Sequence, residues 1–278
     1  AEGLDVTIKP GGPDIAPAQV LAGGGADVMV DWMPSALAAR EKGLPLVNIA
    51  QPFKSSGMML TCRKDMGVNT TADLKGKTLG VWFYGNEYPF LSWMSRLGLK
   101  TDGSANGVTV LKQGWGVEPL TEGQAACVST MSYNEYWVVR DAGYSPEQLT
   151  VFKYQTEGAA TLEDGLYVHE KNMSDAAFKD KMVRFVRASM KGWKYAEANP
   201  KEAAMIILDN DDAGVQTEKH QVRMMGEIAK LTAGSNGSLD PADYERTVEV
   251  LMSGDSDPVI TKKPSGAWTN EITNAALK

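Results

Sequence analysis

Short apolar runs alternate with helix-like segments over the first two thirds of the chain. Three clear runs are Leu46–Ala50, Met58–Arg63 and Thr78–Val81, and each begins one or two residues after a glycine or a proline. Apolar runs of about four to eight residues with such boundaries are typical of buried strands. With helix-like segments between them, they predict mainly parallel sheets covered by helices.

Other segments extend this alternation. Leu4, Val6 and Ile8 alternate with polar residues and predict a first strand. Further strands are predicted at 26–30, 108–111, 127–130 and 150–152. Helices are predicted at 15–21, 34–42, 90–97, 118–126 and 133–142, with a short helix and turn at 71–77.

The pattern changes after residue 168, where four helices follow one another without a strand. They are predicted at 178–198, 200–208, 215–231 and 241–252. In the first of them Met182, Phe185, Met190 and Trp193 form an apolar stripe at helical spacing, which we interpret as core packing and not as a cofactor site. A helical block of this length should wrap an existing sheet.

Two α/β series followed by a returning helical block predict two lobes with a cleft between them. We place lobe 1 at residues 1–76 plus 168–278 and lobe 2 at residues 77–167. Asp164 and Tyr167 lie near the return between the lobes, so we expect hinge residues there, not ligand contacts.

Composition limits the possible functions. The 278 residues carry 35 acidic against 28 basic side chains, for a net charge of −7, and no basic run appears, which argues against a nucleic-acid partner. No apolar run approaches the roughly 20 residues that span a bilayer. No signal peptide is visible at Ala1, although a processed exported protein would have lost it.

The chain has few residues suited to nucleophilic or metal chemistry. Cys62 and Cys127 lack metal-site spacing and lie among apolar or small residues, so we expect two buried free thiols and not a disulfide. The pair does not settle the compartment. His169 and His220 have no nucleophile motif nearby, which disfavours a histidine-dependent hydrolase.

An aromatic loop follows the strand Thr78–Val81 and precedes a helix. It contains Trp82, Phe83, Tyr84 and Tyr88, together with Asn86 and Glu87. Loops at the carboxyl ends of strands in open α/β sheets bind ligands, and these side chains suit a flat, neutral or cationic molecule. The alternative is a surface turn whose rings pack under the next helix. If the strand pattern continues, the first and third of these aromatic residues face the cleft and the second packs into lobe 2.

Five segments occur in the order and spacing of a known family. They are 2–6 (Glu-Gly-Leu-Asp-Val), 24–28 (Gly-Gly-Ala-Asp-Val), 38–45 (Ala-Ala-Arg-Glu-Lys-Gly-Leu-Pro), 73–80 (Asp-Leu-Lys-Gly-Lys-Thr-Leu-Gly) and 129–137 (Ser-Thr-Met-Ser-Tyr-Asn-Glu-Tyr-Trp). The chain resembles the solute-binding subunits of ABC importers with the type II periplasmic fold. Within them it resembles the branch related to the fungal thiamine-pyrimidine synthases, over nearly its whole length.

The resemblance implies a receptor for a small aromatic nitrogen compound, such as a hydroxymethyl- or formylamino-pyrimidine. It also implies a monomer in the periplasm, or lipid-anchored outside the cytoplasm, whose partners are a membrane permease and an ATPase. In the family a further strand and helix precede the segment 2–6, so we expect this unit to be missing from the present sequence.

The fungal synthases use a lysine and a histidine after the third family strand, plus a cysteine-rich run. Asp31 and Ser35 stand at the corresponding positions here, and no cysteine-rich run exists. The resemblance therefore implies binding without a pyridoxal cofactor or a metal. The alternatives left open are a synthase-type enzyme, or a receptor for riboflavin, taurine or another sulfonate, or nitrate.

The family's cleft loops correspond to residues 11–14, 31–32, 52–57, 82–88 and 133–136. The predicted ligand-binding residues are Asp31, Trp32, Trp82, Tyr84, Asn86, Glu87, Tyr133, Asn134 and Glu135. Carboxylates would accept from the exocyclic amine of an aminopyrimidine, and buried anions would be costly beside them. Simpler roles stay open: Asp31 caps a helix, Trp32 belongs to a core, and Glu135 is a solvated carboxylate at a helix start.

Overall fold

The computed structural model describes residues 2–12, 14–253 and 258–278; part of the predicted cleft loop 11–14 thus lies outside the described residues. The strands are β1 (Met29–Asp31), β2 (Leu46–Ala50), β3 (Met58–Arg63), β4 (Thr78–Val81), β5 (Thr109–Lys112), β6 (Cys127–Met131), β7 (Leu149–Lys153) and β8 (Gly165–His169). The helices are α1 (Pro17–Ala22), α2 (Met33–Glu41), α3 (Tyr88–Arg96), α4 (Glu118–Thr121), α5 (Glu135–Asp141), α6 (Ala176–Ala198), α7 (Pro200–Asp209), α8 (Glu218–Thr232), α9 (Pro241–Met252) and α10 (Glu271–Ala276).

The strands form two sheets. A three-stranded sheet has the order β1-β8-β2, and a five-stranded sheet has the order β5-β4-β6-β3-β7. We call the first sheet with α1, α2 and α6–α10 lobe 1, and the second sheet with α3–α5 lobe 2. The α/β class and the two-sheet architecture are confirmed.

The prediction of a mainly parallel sheet in each lobe is wrong for lobe 1. There β8 runs antiparallel to both β1 and β2. The two outer strands do run in the same direction, as a β-α-β sequence requires, but the strand returning from lobe 2 is inserted between them. In lobe 2, β4 pairs in parallel with β5 and β6, while β3 is antiparallel to both of its neighbours.

The first predicted strand is also wrong. No strand includes Leu4, Val6 or Ile8, and the side chains of Val6 and Ile8 are 52% and 83% exposed. Alternation predicts which face of a strand would be buried, but a strand also needs a neighbour to accept and donate its backbone hydrogen bonds.

The helical layer covers lobe 1, as predicted. Apolar side chains of α6 and α10 pack on one group of β2 and β8 residues, and those of α2 and α9 form a second core with Leu46 and Tyr167. Met182 and Met190 are buried in the first of these cores, with Phe185 and Trp193 packed against it, which confirms the core interpretation of the stripe. Among the residues that the structure describes, no helix combines the length and apolarity that crossing a bilayer requires.

The chain crosses between the sheets at 51–57 and again at 154–164, because β3 belongs to the five-stranded sheet and β8 to the three-stranded one. The boundaries placed at 76/77 and 167/168 stay a prediction, and strand pairing favours crossings at 51–57 and 154–164 instead. Tyr167, expected at the hinge, is buried in the lobe 1 core.

The two cysteines form a disulfide, so the expectation of free thiols is wrong. Cys62 and Cys127 lie directly opposite each other in the antiparallel pair β3–β6, with their Cα atoms 3.9 Å apart. This proximity is set by the register of two strands that lie 65 residues apart in sequence, which local composition does not reveal.

Candidate functional site

The two crossing segments are hydrogen-bonded to each other through Glu163. Its carboxylate accepts from Ser56 Oγ at 2.5 Å, from Gly57 N at 3.0 Å and from Met58 N at 3.1 Å. The amide of Gln51 donates to the backbone oxygen of Glu163 at 2.5 Å. Burial raises the pKa of the Glu163 carboxyl to about 8, even though these three donors favour its ionised form. Glu163 was not predicted as a site residue.

Gly57 allows the first crossing segment to lie close to side chains of both lobes. A Cβ atom at residue 57 would lie 2.8 Å from Leu231 Cδ1, 3.1 Å from Ser132 Oγ and 3.3 Å from Tyr133 Cε1. Contacts this short require the neighbours to move. A side chain at this position would therefore push α8 of lobe 1 away from the β6–α5 loop of lobe 2.

Asp31 ends β1 and faces the start of α2. Its carboxylate accepts from the backbone N–H of Trp32 at 2.8 Å and from Ser35 Oγ at 3.0 Å. Burial raises the pKa of Asp31 to about 7, and the nearby charge of Asp164 contributes in the same direction. Trp32 follows on the lobe 1 side but packs against the core of the five-stranded sheet. Trp32 therefore joins the two lobes beside a buried carboxyl.

Three carboxyl groups affect the pKa of Tyr133. Burial raises its pKa well above the ordinary value of 10.0, and the charges of Asp164, Glu163 and Glu135 add to the effect. Burial likewise raises the pKa of Asp164 to about 6, whereas the nearby Trp32 side chain favours its ionised form. Asp164, expected only as a hinge residue, thus belongs to the group of side chains between the lobes.

Glu135 begins α5 and is buried, so the interpretation as a solvated carboxylate at a helix start is wrong. Its carboxylate accepts from Met131 N at 2.9 Å and from Asn134 Nδ2 at 2.7 Å. Burial raises the pKa of Glu135 to about 7. The short β6–α5 connection therefore holds a carboxyl and an amide together at the carboxyl end of a central strand.

We define these side chains as the interlobe cluster: Asp31, Trp32, Tyr133, Glu135, Glu163 and Asp164. The cluster combines four carboxyl groups with two aromatic rings in a place from which water is largely excluded. Such a site suits a flat ligand that carries several hydrogen-bond donors.

The aromatic loop lies beside the interlobe cluster, and its backbone departs from the strand pattern. Strand β4 ends at Val81, and Tyr84 has φ +63°, a left-handed conformation that is unusual for a tyrosine. Tyr84 is 44% exposed, with the ammonium group of Lys112 4.9 Å from its ring centroid. Gly85, at φ +106°, packs so closely on α2 that a Cβ atom there would lie 2.6 Å from Ser35.

Other side chains of the loop make contacts within lobe 2. Trp82 Nε1 donates to the Gly114 oxygen at 3.0 Å, and its ring packs against the lobe 2 core. Asn86 Nδ2 donates to the Phe83 oxygen at 3.0 Å, and Glu87 accepts from Gly85 N at 2.7 Å. Phe83 is only half-buried and lies outside the lobe 2 core, so the predicted orientations fail. Ligand binding by Trp82, Tyr84, Asn86 and Glu87 stays a prediction.

We expect Trp82→Ala to lower the melting temperature and Tyr84→Ala to leave it nearly unchanged. The first change removes a ring packed on a core, at up to ~3 kcal/mol, and the second removes an exposed ring, within ~0.5 kcal/mol. Thermal unfolding by circular dichroism measures both. Tyr84→Ala melting as early as Trp82→Ala would contradict the orientation described here.

The structure shows no arrangement suited to a metal ion among the residues it describes: no group of three or more His, Cys, Asp and Glu side chains has the necessary geometry.

Two α/β lobes, linked by two crossing segments and enclosing a buried polar site, define the fold of the periplasmic binding proteins. A solved protein from Bordetella bronchiseptica RB50 aligns over 93% of this chain and 82% of its own, with a TM-score of 0.70 and 20% identity. The periplasmic aliphatic sulphonate binding protein of Escherichia coli aligns over 85% and 71%, with a TM-score of 0.60 and 13% identity.

Residues 1–203 match the NMT1/THI5-like family, and the chain belongs to that family. Among its relatives, the formylaminopyrimidine-binding protein of Halalkalibacterium halodurans is 24% identical over 281 aligned positions, which cover 97% of this chain and 82% of the relative.

Proposed function

We propose that this protein is the solute-binding receptor of an ABC importer and that it binds an aminopyrimidine precursor of thiamine between its lobes. The interlobe cluster is the observation that carries the proposal. It places four carboxyl groups and two aromatic rings where the lobes meet. The formylaminopyrimidine ligand in the name of the H. halodurans relative supports the same chemistry.

The charge of the site favours a donor-rich ligand over an anion. No arginine occurs in the loops 31–35, 52–57, 82–88 and 133–136, and their one lysine, Lys54, donates to the backbone oxygen of Ser238 in lobe 1. A sulfonate or nitrate buried beside carboxylates would lack the cationic partners that compensate its desolvation. An exocyclic amine and a protonated ring nitrogen would donate to these carboxylates, while the aromatic rings contact the ring faces.

A synthase-type activity is the alternative from a different class. In the resemblance, the synthase lysine and histidine correspond to Asp31 and Ser35, and here these two side chains are hydrogen-bonded to each other at 3.0 Å. Neither an amine for a pyridoxal aldimine nor a histidine is present at these positions, which supports binding over synthesis.

We further propose that the receptor works outside the cytoplasm with a membrane permease and an ATPase. The disulfide between Cys62 and Cys127 supports this location, because disulfides persist in oxidising compartments such as the periplasm. The fold supports it as well, since the sulphonate binding protein named above is periplasmic.

Calorimetric titration with hydroxymethyl- and formylamino-pyrimidines tests the proposal, with riboflavin, taurine and nitrate as comparison ligands. We expect a saturable signal for an aminopyrimidine and none for taurine or nitrate. At a ligand concentration of about 100 times Kd, the stability should rise by ~2.7 kcal/mol. Mass spectrometry of the incubated mixture should recover the ligand unchanged. Saturable binding of an anion instead would overturn the ligand assignment, and a new product would favour the enzyme.

We expect Asp31→Asn and Glu135→Gln each to weaken aminopyrimidine binding by about 10- to 150-fold. Each substitution keeps the shape of the side chain but replaces a charged acceptor, and one charge-assisted hydrogen bond contributes about 1.5–3 kcal/mol. Glu170→Gln is the matched control, because the Glu170 carboxylate pairs with Arg40 at the surface of lobe 1, outside the predicted site. Titration calorimetry compares the three. A variant with parental affinity would remove that residue from the site.

A further inference from the structure

Helix α8 of lobe 1 contacts helix α5 of lobe 2 and the residue that precedes this helix. His220 Nε2 lies 2.7 Å from Asn134 Oδ1. Arg223 pairs with Asp141, with its Nη1 2.9 Å from Oδ2, and the Lys219 ammonium lies 3.5 Å from the same carboxylate. The Arg223 guanidinium also stacks 4.8 Å from the centroid of the Trp137 ring. These contacts join the lobes in addition to the hydrogen bonds of the crossing segments.

The hydrogen bonds of this contact have a defined direction. Asn134 Nδ2 faces the Glu135 carboxylate at 2.7 Å, and an amide nitrogen can only donate to a carboxylate. The other end of the amide, Oδ1, must therefore accept, so His220 donates from Nε2. Burial and the Arg223 charge lower the pKa of His220, which favours the neutral imidazole, and the hydrogen bond to Asn134 Oδ1 places its proton on Nε2. The chain of donors thus runs from His220 through Asn134 to Glu135.

We propose that α8 and α5 form a clasp in which His220 positions Glu135 for ligand binding when the lobes close. In this arrangement the ion pairs of Arg223 and Lys219 with Asp141 hold α8 against α5. The hydrogen bond from His220 then fixes the orientation of the Asn134 amide. The amide holds one carboxylate oxygen of Glu135, and Met131 N holds the other. His220 is a positioning residue, because its effect on the ligand passes through Asn134. The proposal rests on the proposed function only for its ligand measurements.

Five variants, counting Asn134→Ala alone, test the clasp. His220→Phe removes the donor at similar volume, whereas His220→Gln keeps an N–H donor in reach of Asn134. His169→Phe is the control, since it changes the other histidine, at the end of β8. We expect His220→Phe to weaken aminopyrimidine binding about 5- to 20-fold, His220→Gln to restore most of the loss, and the control to bind as the parent does. The fourth variant, His220→Phe combined with Asn134→Ala, should bind no more weakly than Asn134→Ala alone, because both changes break one chain of hydrogen bonds.

Two ligand-free measurements separate the clasp from the ligand assignment. The chain has only two histidines, so imidazole ¹⁵N spectra of the parent and of His220→Phe identify the His220 signal. This signal should show the Nε2-protonated tautomer, with its Nε2 proton protected from exchange with water. Small-angle scattering should give a larger radius of gyration for His220→Phe combined with Arg223→Met than for the parent. Lys230→Met, whose ion pair with Glu227 stays within α8, should leave it unchanged.

Independent losses in the double variant, or an Nδ1-protonated His220 with an unchanged radius of gyration, would overturn the clasp. If the parent binds no aminopyrimidine, the proposed function fails, while the spectra and the scattering still decide whether the clasp exists.

Discussion

Reduction of the disulfide should cost about 4 kcal/mol of unfolding free energy and lower the melting temperature by roughly 10 °C. Cys62 and Cys127 are separated by 65 residues, so the bond closes a long loop in the unfolded chain and removes much of its entropy. Thermal and denaturant unfolding with and without reductant measure the effect. The same bond fastens β3, the strand that leads into lobe 2, to the centre of its sheet.

Alanine variants provide the control for this expectation. Cys62→Ala, Cys127→Ala and the double variant should be destabilised by similar amounts, because each removes the same cross-link, and reductant should not destabilise any of them further. Intact-mass measurement of the parent should show the loss of two hydrogens relative to the reduced chain. Free thiols in the oxidised parent, or alanine variants whose effects simply add, would contradict the bond.

The elements that the sequence predicts best are those whose signal is local. The predicted bounds of strands β2, β3 and β4 agree with those in the structure. Each of these strands is a short apolar run that starts one or two residues after a glycine or a proline. The alternating segment around Val6 and Ile8 carries an equally clear local signal, yet it forms no strand. The direction of a strand in its sheet also depends on distant parts of the chain. Strand β8 returns from lobe 2 and runs antiparallel to both of its neighbours in the smaller sheet.

The site residues also divide into those with a local sequence signal and those positioned by contacts between distant parts of the chain. The loops after β1 and β6 are predicted by the family resemblance as cleft loops, and both follow predicted strands. Asp31, Trp32, Tyr133 and Glu135 of these loops lie between the lobes. The contacts that the sequence does not predict join distant parts of the chain. Glu163 accepts a hydrogen bond from Ser56, 107 residues away in sequence, and His220 is hydrogen-bonded to Asn134, 86 residues away. Tyr84 was misplaced for a different reason, because its left-handed backbone ends the alternation that predicted its direction.

The buried carboxyl groups should make the ligand-free protein less stable as pH rises. The pKa of Asp31 is raised from 3.8 to about 7, that of Glu135 from 4.5 to about 7, that of Glu163 from 4.5 to about 8 and that of Asp164 from 3.8 to about 6. The folded protein therefore holds these protons more tightly than the unfolded chain does. Their stabilising effect is complete below about pH 4, where both states are protonated, and is lost as pH rises through the folded pKa values.

We expect the melting temperature of the ligand-free protein to fall steadily between about pH 5 and pH 8. One pKa unit corresponds to ~1.4 kcal/mol, so the raised pKa of Asp31 represents a loss on the order of 4 kcal/mol between about pH 4 and pH 8, of which roughly 2.5 kcal/mol falls between pH 5 and pH 8. Asp31→Asn should flatten the profile, whereas Asp102→Asn, on the surface, should not. A ligand whose amine donates to these carboxylates favours their ionised form, so its binding should release protons, measurable by calorimetry in buffers of different ionisation enthalpy. A melting temperature that rises from pH 5 to pH 8 without ligand would mean that the four carboxyls are already ionised at pH 5, and that the site holds their charges without help from a bound cation.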